Sequence, residues 1–291
     1  MSRRHLLMLL VLSAIWGASF MFIKVGVREL TPATLVWGRV GLGALSLAPI
    51  ALGSRALRAS LRRTWKDVTV VGLLNTAIPF WLLSWGETRL DSGLAAIIQA
   101  SAPIFSVGFA AVFFRSERST GLRLVGVLLG FVGVALLVGA QPSGDVLAAL
   151  AVVLAAACYA LGILYMGARL AGEPPLAVAF GNVLVATIAA TPFGAIEAPG
   201  HMPGWKVIGS VVALGVLGTA FAYVLYFAIA GGAGGSKAIL VTYLVPPVAV
   251  VYGALFLGEP IEASALGGLA LILGGVALGS GTLALRRRAP A

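Results

Sequence analysis

The chain has 291 residues, 60% of them hydrophobic and only 10% charged, with a mean hydropathy of +1.04. That excludes a water-soluble fold of this length, because soluble domains carry roughly a quarter charged residues to cover their cores. A net charge of +10 would suit nucleic acid in a polar chain, but in one this apolar it points to basic residues held on one side of a membrane.

The charges fall in short clusters between solid apolar runs. A run of about 20 apolar residues is what a helix needs to cross the hydrocarbon layer. Lipid offers the backbone no partners, and the runs do not alternate, so helices are expected rather than a barrel. The expected class is an all-α membrane protein with ten transmembrane helices.

The first span is expected at 6–27. Its start, Arg3-Arg4-His5 before an apolar run, resembles a secretory signal, but the run continues to Val25 and outlasts a signal core. The second span, 33–53, holds Arg39, the one charge inside a span. It sits about a turn and a half from the outer end, where it snorkels or caps Glu29, or else gates a substrate carboxylate. The third span, 67–86, carries Asn75, Thr76 and Pro79. The fourth, 93–114, carries Gln99, Ser101 and Pro103. The fifth, 121–139, and the tenth, 263–285, hold the GxxxG spacings Gly126–Gly130 and Gly275–Gly279, which serve close packing within the fold or a homodimer seam.

The sixth span, 145–168, holds Cys158, the sole cysteine, read as a packing residue, and Tyr159. The seventh, 175–194, is interrupted by Pro192. The eighth, 205–229, carries Thr219 and Tyr223. Gly231 to Lys237 has the wrong order for a phosphate loop and reads as a flexible inner loop before the ninth span, 236–257, with Thr242, Tyr243, Pro246 and Pro247. Trp37, Trp65 and Trp205 lie near span ends and read as interfacial anchors.

Fifteen of the lysines and arginines in the loops, the termini or at span ends fall on the side of the N-terminus and four on the other. Both termini are therefore expected in the cytoplasm of a multi-pass inner-membrane protein. The second half repeats the first at a spacing of about 142–144 residues. Gly133-Val134-Ala135-Leu136 recurs as Gly275-Val276-Ala277-Leu278, Glu117 matches Glu259, Pro103 matches Pro247, Ser92 matches Ser236 and Thr76-Ala77 matches Thr219-Ala220. Five spans per half make the halves, 1–140 and 141–291, inverted. Inverted repeats are a transporter signature, since exchanging the conformations of two like halves opens one site to each side in turn.

Trp16-Gly17-Ala18-Ser19-Phe20, with Lys24 beyond it and Arg39 in the second span, resembles the opening of EamA-type proteins of the drug/metabolite transporter superfamily. Phe256-Leu257-Gly258-Glu259-Pro260 resembles that family's FLGE ending; Phe113 to Arg118 departs from it, with Arg115-Ser116 in place of Leu-Gly. The chain is similar in particular to the family's exporters of aromatic and neutral amino acids. The resemblance implies export of a small metabolite.

A transport site belongs where helices break near the membrane centre. Proline lacks an N–H and frees the carbonyl four residues earlier: Pro103 frees Gln99, Pro247 frees Tyr243 and Pro246 frees Thr242. These acceptors are expected to face one another across the repeat axis and receive an ammonium; the plainer reading is helix kinks satisfied by neighbours. Asn75, Thr76, Pro79, Ser101, Thr219 and Tyr223 sit at similar depth. Trp16 and Tyr159 occupy matching places in spans one and six, as an aromatic wall or as packing.

All ten acidic residues fall in loops or at span ends. With no midplane acid to relay protons or hold a cation, facilitated passage of a neutral or zwitterionic molecule is expected. No cofactor, metal site, catalytic constellation or nucleic-acid partner is expected; lipid and the small-molecule substrate are the partners. A cationic-drug or other metabolite exporter, an importer and a non-transporting scaffold are the alternatives.

Overall fold

The computed structural model describes residues 2–113, 122–139, 145–238 and 240–279. The ending at 114–118, with Glu117, and the basic tail at 286–288 lie outside them. Among the described residues there are helices and no strands.

Seven helices are long and apolar enough to cross a membrane: Arg3–Gly26, Pro32–Gly53, Arg55–Gly86, Ser92–Ala110, Val146–Arg169, Pro175–Ile196 and Trp205–Ala233. Among the described residues there are also three shorter apolar helices, Leu124–Gly139, Val241–Leu257 and Ala263–Leu278. Each overlaps one of the expected spans. Apolar side chains such as Leu45, Ile188 and Leu255 are exposed on the outside, as lipid-facing helices require.

In detail the elements are α1 (Arg3–Gly26), α2 (Pro32–Gly53), α3 (Arg55–Gly72), a π-helical segment Leu73–Ala77, α4 (Ile78–Gly86), α5 (Ser92–Gln99), α6 (Ala102–Phe113), α7 (Leu122–Gly139), α8 (Val146–Arg169), α9 (Pro175–Ile196), α10 (Trp205–Val212), a second π segment Ala213–Phe221, α11 (Ala222–Ala233), α12 (Gly235–Ala238), α13 (Val241–Tyr252), a third π segment Gly253–Leu257, and α14 (Ala263–Gly279). α2 lies against α9 and α7 against α14. α1 packs on α13, and α6 on α8.

Three expectations are corrected. The helix that holds the third span begins at Arg55, ahead of the apolar run, because Ser54 caps it through its hydroxyl and the basic run 55–66 is rich in good helix formers. Arg63 of that extension pairs with Glu173 at 2.7 Å, and Arg169 of α8 pairs with Asp67 at 3.1 Å. The glycine-rich stretch 231–237 is not a loop: α11 continues through Gly231 and Gly232, the chain turns at Gly234 with φ +94°, and α12 follows. Packing overrides propensity there, since a Cβ on Gly232 would strike the His5 ring.

The two proline-marked spans also differ from each other. The fourth breaks at Ala100-Ser101, so Pro103 stands in the first turn of α6, where a missing N–H costs nothing. Pro246 and Pro247 instead lie inside α13, the former buried and the latter exposed. Trp65 and Trp205 are exposed, and Trp37 is half-buried, donating to the Thr191 hydroxyl at 3.1 Å beside Gly194.

The GxxxG glycines face each other. A Cβ on Gly275 would lie 2.6 Å from the Gly126 carbonyl oxygen and 2.7 Å from the Gly130 nitrogen, so α7 and α14 meet backbone to backbone inside one chain.

Candidate functional site

Leu35, Val36, Arg39, Val40, Gly43 and Leu47 are all buried, and their spacing is one face of a helix. Arg39 therefore points into the bundle with 6% of its surface exposed. It neither snorkels nor caps Glu29, whose carboxylate accepts from the Gly204 N–H at 2.7 Å. Two glycines bring the elements close enough: a Cβ on Gly43 would meet the Thr219 methyl at 2.9 Å, and one on Gly215 would meet the Arg39 carbonyl at 2.8 Å.

Arg39 Nε donates to Thr219 Oγ1 at 3.2 Å, and that hydroxyl donates in turn to the Leu214 carbonyl at 2.9 Å. The Leu214 bond spans five residues, within the π segment Ala213–Phe221. The guanidinium carbon stands 3.8 Å from the centre of the Phe80 ring, a cation–π contact. Tyr159 and Tyr223 lie within electrostatic reach of the guanidinium, and Thr76 is beside Tyr223. Thr76 belongs to the first π segment and Thr219 to the second. Pro79, in the first turn of α4, denies the Asn75 carbonyl its helical donor. Local π turns of this kind recur at functional sites.

Of the sequence-selected residues, Thr219 touches Arg39, Tyr159 and Tyr223 lie within its electrostatic reach, and Thr76 is beside Tyr223. Asn75 is one residue further on and packs against Gly162 of α8. Trp16 reaches the same π segment by donating to the Gly218 carbonyl at 3.3 Å. Its ring sits 5.7 Å from Tyr226, which with Phe227 and Tyr223 continues an aromatic chain. Among the described residues Trp16 thus has its ring contact with Tyr226 and not with Tyr159.

Gln99, Ser101 and Pro103 gather at the break between α5 and α6. The Ser101 hydroxyl donates to the Ile98 carbonyl at 2.7 Å and is spent there. Thr242 and Tyr243 are half-buried in α13. Asn75 Oδ1, Thr76 Oγ1, Gln99 Oε1 and Asn182 Oδ1 are buried without a hydrogen bond of good geometry. Asn182, in α9, was missed by the sequence reading; an amide in an apolar run is the same signal that marked Asn75.

Glu87 was also missed. By position it ends a span, as expected of every acid here, yet it is 0% exposed and neither carboxylate oxygen has a partner. Burial first, and then the Glu259 charge, push its carboxyl well above the ordinary glutamate range, with Lys24 and Arg39 pulling the other way. Lys24 Nζ donates to the Glu87 and Leu90 carbonyls at 3.0 and 2.7 Å, capping α4.

Nearby, Gly258 at φ +71° ends the third π segment and turns Glu259 onto the start of α5. Its carboxylate accepts from the Ser92 N–H, the Ser92 hydroxyl and the Gly93 N–H at 2.9, 2.7 and 3.2 Å. A cavity of about 140 Å³ opens beside it, lined by Arg89, Asp91, Asp145, Glu259 and Glu262 among others.

The chain is similar along most of its length to several named proteins. It is 33% identical over 291 residues to a probable terminal-alkyne amino-acid exporter of Streptantibioticus cattleyicolor, covering 96% of this chain and 95% of that one. It is 26% identical over 265 residues to an uncharacterized transporter of Archaeoglobus fulgidus, covering 90% and 93%. It is 27% identical over 264 residues to the uncharacterized inner membrane transporter YedA of Escherichia coli K12, covering 87% and 83%. One solved crystal structure aligns with a TM-score of 0.67 at 20% identity, over 99% of this chain and 100% of its own, a likeness of fold alone. The model of the EamA-like transporter family matches twice, at 3–139 and 146–281. A chain of apolar helices that matches this model from end to end, and whose named relatives are transporters, belongs to the EamA-like transporter family.

Proposed function

We propose that this chain carries aromatic and other neutral amino acids out of the cell across the inner membrane, as a facilitative carrier with both termini in the cytoplasm. It works by alternating access between two inverted five-helix halves, 1–140 and 141–291. The observation that carries the reading is the set of buried amide side chains that, among the described residues, have a carbonyl oxygen with no partner: Asn75, Gln99 and Asn182. A scaffold would satisfy such groups, because each costs free energy in a dry interior; a carrier keeps them for its cargo.

Two further observations support it. The pairing of α2 with α9 and α7 with α14, and of α1 with α13 as α8 with α6, is what two halves related by a twofold axis would make. The relative at 33% identity is named a probable exporter of an amino acid. A second reading, coupling to protons, is favoured by one observation, the buried and unpartnered carboxylate of Glu87.

The test is uptake of labelled phenylalanine, leucine and threonine into liposomes holding the purified protein, with a cationic drug as the contrast. Saturable amino-acid uptake with no imposed gradient is the expected result. Amino-acid uptake only under a proton gradient, abolished in Glu87→Gln, moves the mechanism to the second reading. Transport of the drug alone contradicts the substrate class.

A further inference from the structure

We infer that Arg39 is the anchor for a carboxylate on the transported molecule, received by the free edge of its guanidinium between α2 and the π segment Ala213–Phe221. This rests on the carrier reading and names the chemical group that its site selects.

A guanidinium has five N–H donors in a fixed fork. Nε is committed to Thr219. Among the described residues the Nη donors make no hydrogen bond, and the nearest acid, Glu87, acts on Arg39 at a distance without pairing with it. A buried arginine with no acid paired to it is costly, and within a membrane protein such a charge marks a substrate or ion path. The Phe80 ring covers one face of the fork and Thr219 holds its Nε side. What remains is the in-plane Nη edge, the edge that takes a carboxylate with two parallel bonds.

The charge count favours a carboxylate over a phosphate. Arg39 is a single cation, and Lys24, the other basic residue of this region, spends its ammonium on the Glu87 and Leu90 carbonyls. A dianion would leave one charge unmatched in a dry site. Tyr159, Tyr223 and Thr76 offer hydroxyl oxygens that can accept from an ammonium, and the tyrosine rings suit an aromatic side chain. The two threonines stand at repeat-related positions in the two π segments, so one half supplies Thr76 and the other Thr219 around one arginine.

The test is binding to the purified chain in lipid nanodiscs, read by calorimetry, for matched pairs: phenylalanine against phenylalaninamide, phenylacetate against phenylacetamide, and phenyl phosphate. Arg39→Gln and Arg39→Lys are compared with wild type and with Arg169→Gln, which removes an equal charge at the exposed Asp67 pair. The expected result is that wild type and Arg169→Gln prefer each carboxylate to its amide. Arg39→Gln is expected to lose roughly tenfold or more in affinity for the carboxylates alone, and Arg39→Lys to recover part of it.

Equal affinity for acid and amide in wild type overturns the inference with no variant needed. So does a folded Arg39→Gln that binds phenylalanine as wild type does, and so does a preference for phenyl phosphate. If phenylacetate binds in an Arg39-dependent way and phenylalanine does not, the amino-acid reading falls and the inference stands. If no member binds, both fall.

Discussion

Glu87 shows how much a single residue's place in the fold can add to its place in the sequence. Its position after Gly86 marks it as a span-end acid, and the fold then removes it from water entirely. Because burial raises its native carboxyl above the ordinary value of about 4.5, the folded protein holds that proton more tightly than the unfolded chain. The stabilising contribution is therefore complete below the ordinary glutamate value and lost as pH rises through the raised native one. The melting temperature of detergent-purified protein should fall between pH 5 and pH 8. In Glu87→Gln that slope should be shallower and the pH 8 value at least that of wild type. Parallel slopes in the two proteins would mean that Glu87 is not the group responsible. Arg39 teaches the same lesson in a readable form: its spacing from Val36, Val40 and Gly43 puts it on the buried face of α2. Distance from the span end, the cue for snorkelling, says nothing about which way a helix faces.

At the scale of elements, the seam between α7 and α14 and the turn at Gly258 carry predictions. Gly275→Ala places a methyl against the Gly126 and Gly130 backbone, which cannot give way as a flexible side chain would. It should destabilise the fold by about 1–3 kcal/mol. Gly267→Ala, with open space at its Cβ, should be neutral or slightly stabilising. Equal melting temperatures for the two variants would refute the seam. Glu259→Ala removes the carboxylate that holds Ser92 and Gly93 and should cost about 1–2 kcal/mol, seen in the same melt. The all-helical class and the seven long apolar helices among the described residues were legible because hydropathy and charge clustering decide them. The helix breaks were less so. Pro103 and Pro247 are repeat mates, yet only Pro103 adjoins a break, because a proline fixes which bond is lost and the neighbouring helices decide whether the helix parts. The π segments have no composition of their own and were not foreseen, although the repeat had already aligned Thr76 with Thr219.

For the whole molecule, three of the thirteen residues chosen from sequence, Tyr159, Thr219 and Tyr223, lie within reach of Arg39. They were found because polar groups are scarce in apolar spans and therefore conspicuous. Their convergence was not legible, since it depends on which helices pack together. The pairing of α2 with α9 and α2 with the second π segment brings Arg39 and Thr219, distant in sequence, into contact. A site built from both halves should move its cargo by exchange between two conformations, not through an open pore. Counterflow tests this most directly: liposomes holding the protein are loaded with unlabelled phenylalanine, and entry of labelled phenylalanine at trace concentration is followed with no net gradient of ions. A carrier gives a transient accumulation above equilibrium that saturates with the internal load and is weaker in Arg39→Gln. Entry that only approaches equilibrium, at a rate indifferent to the load, would contradict alternating access.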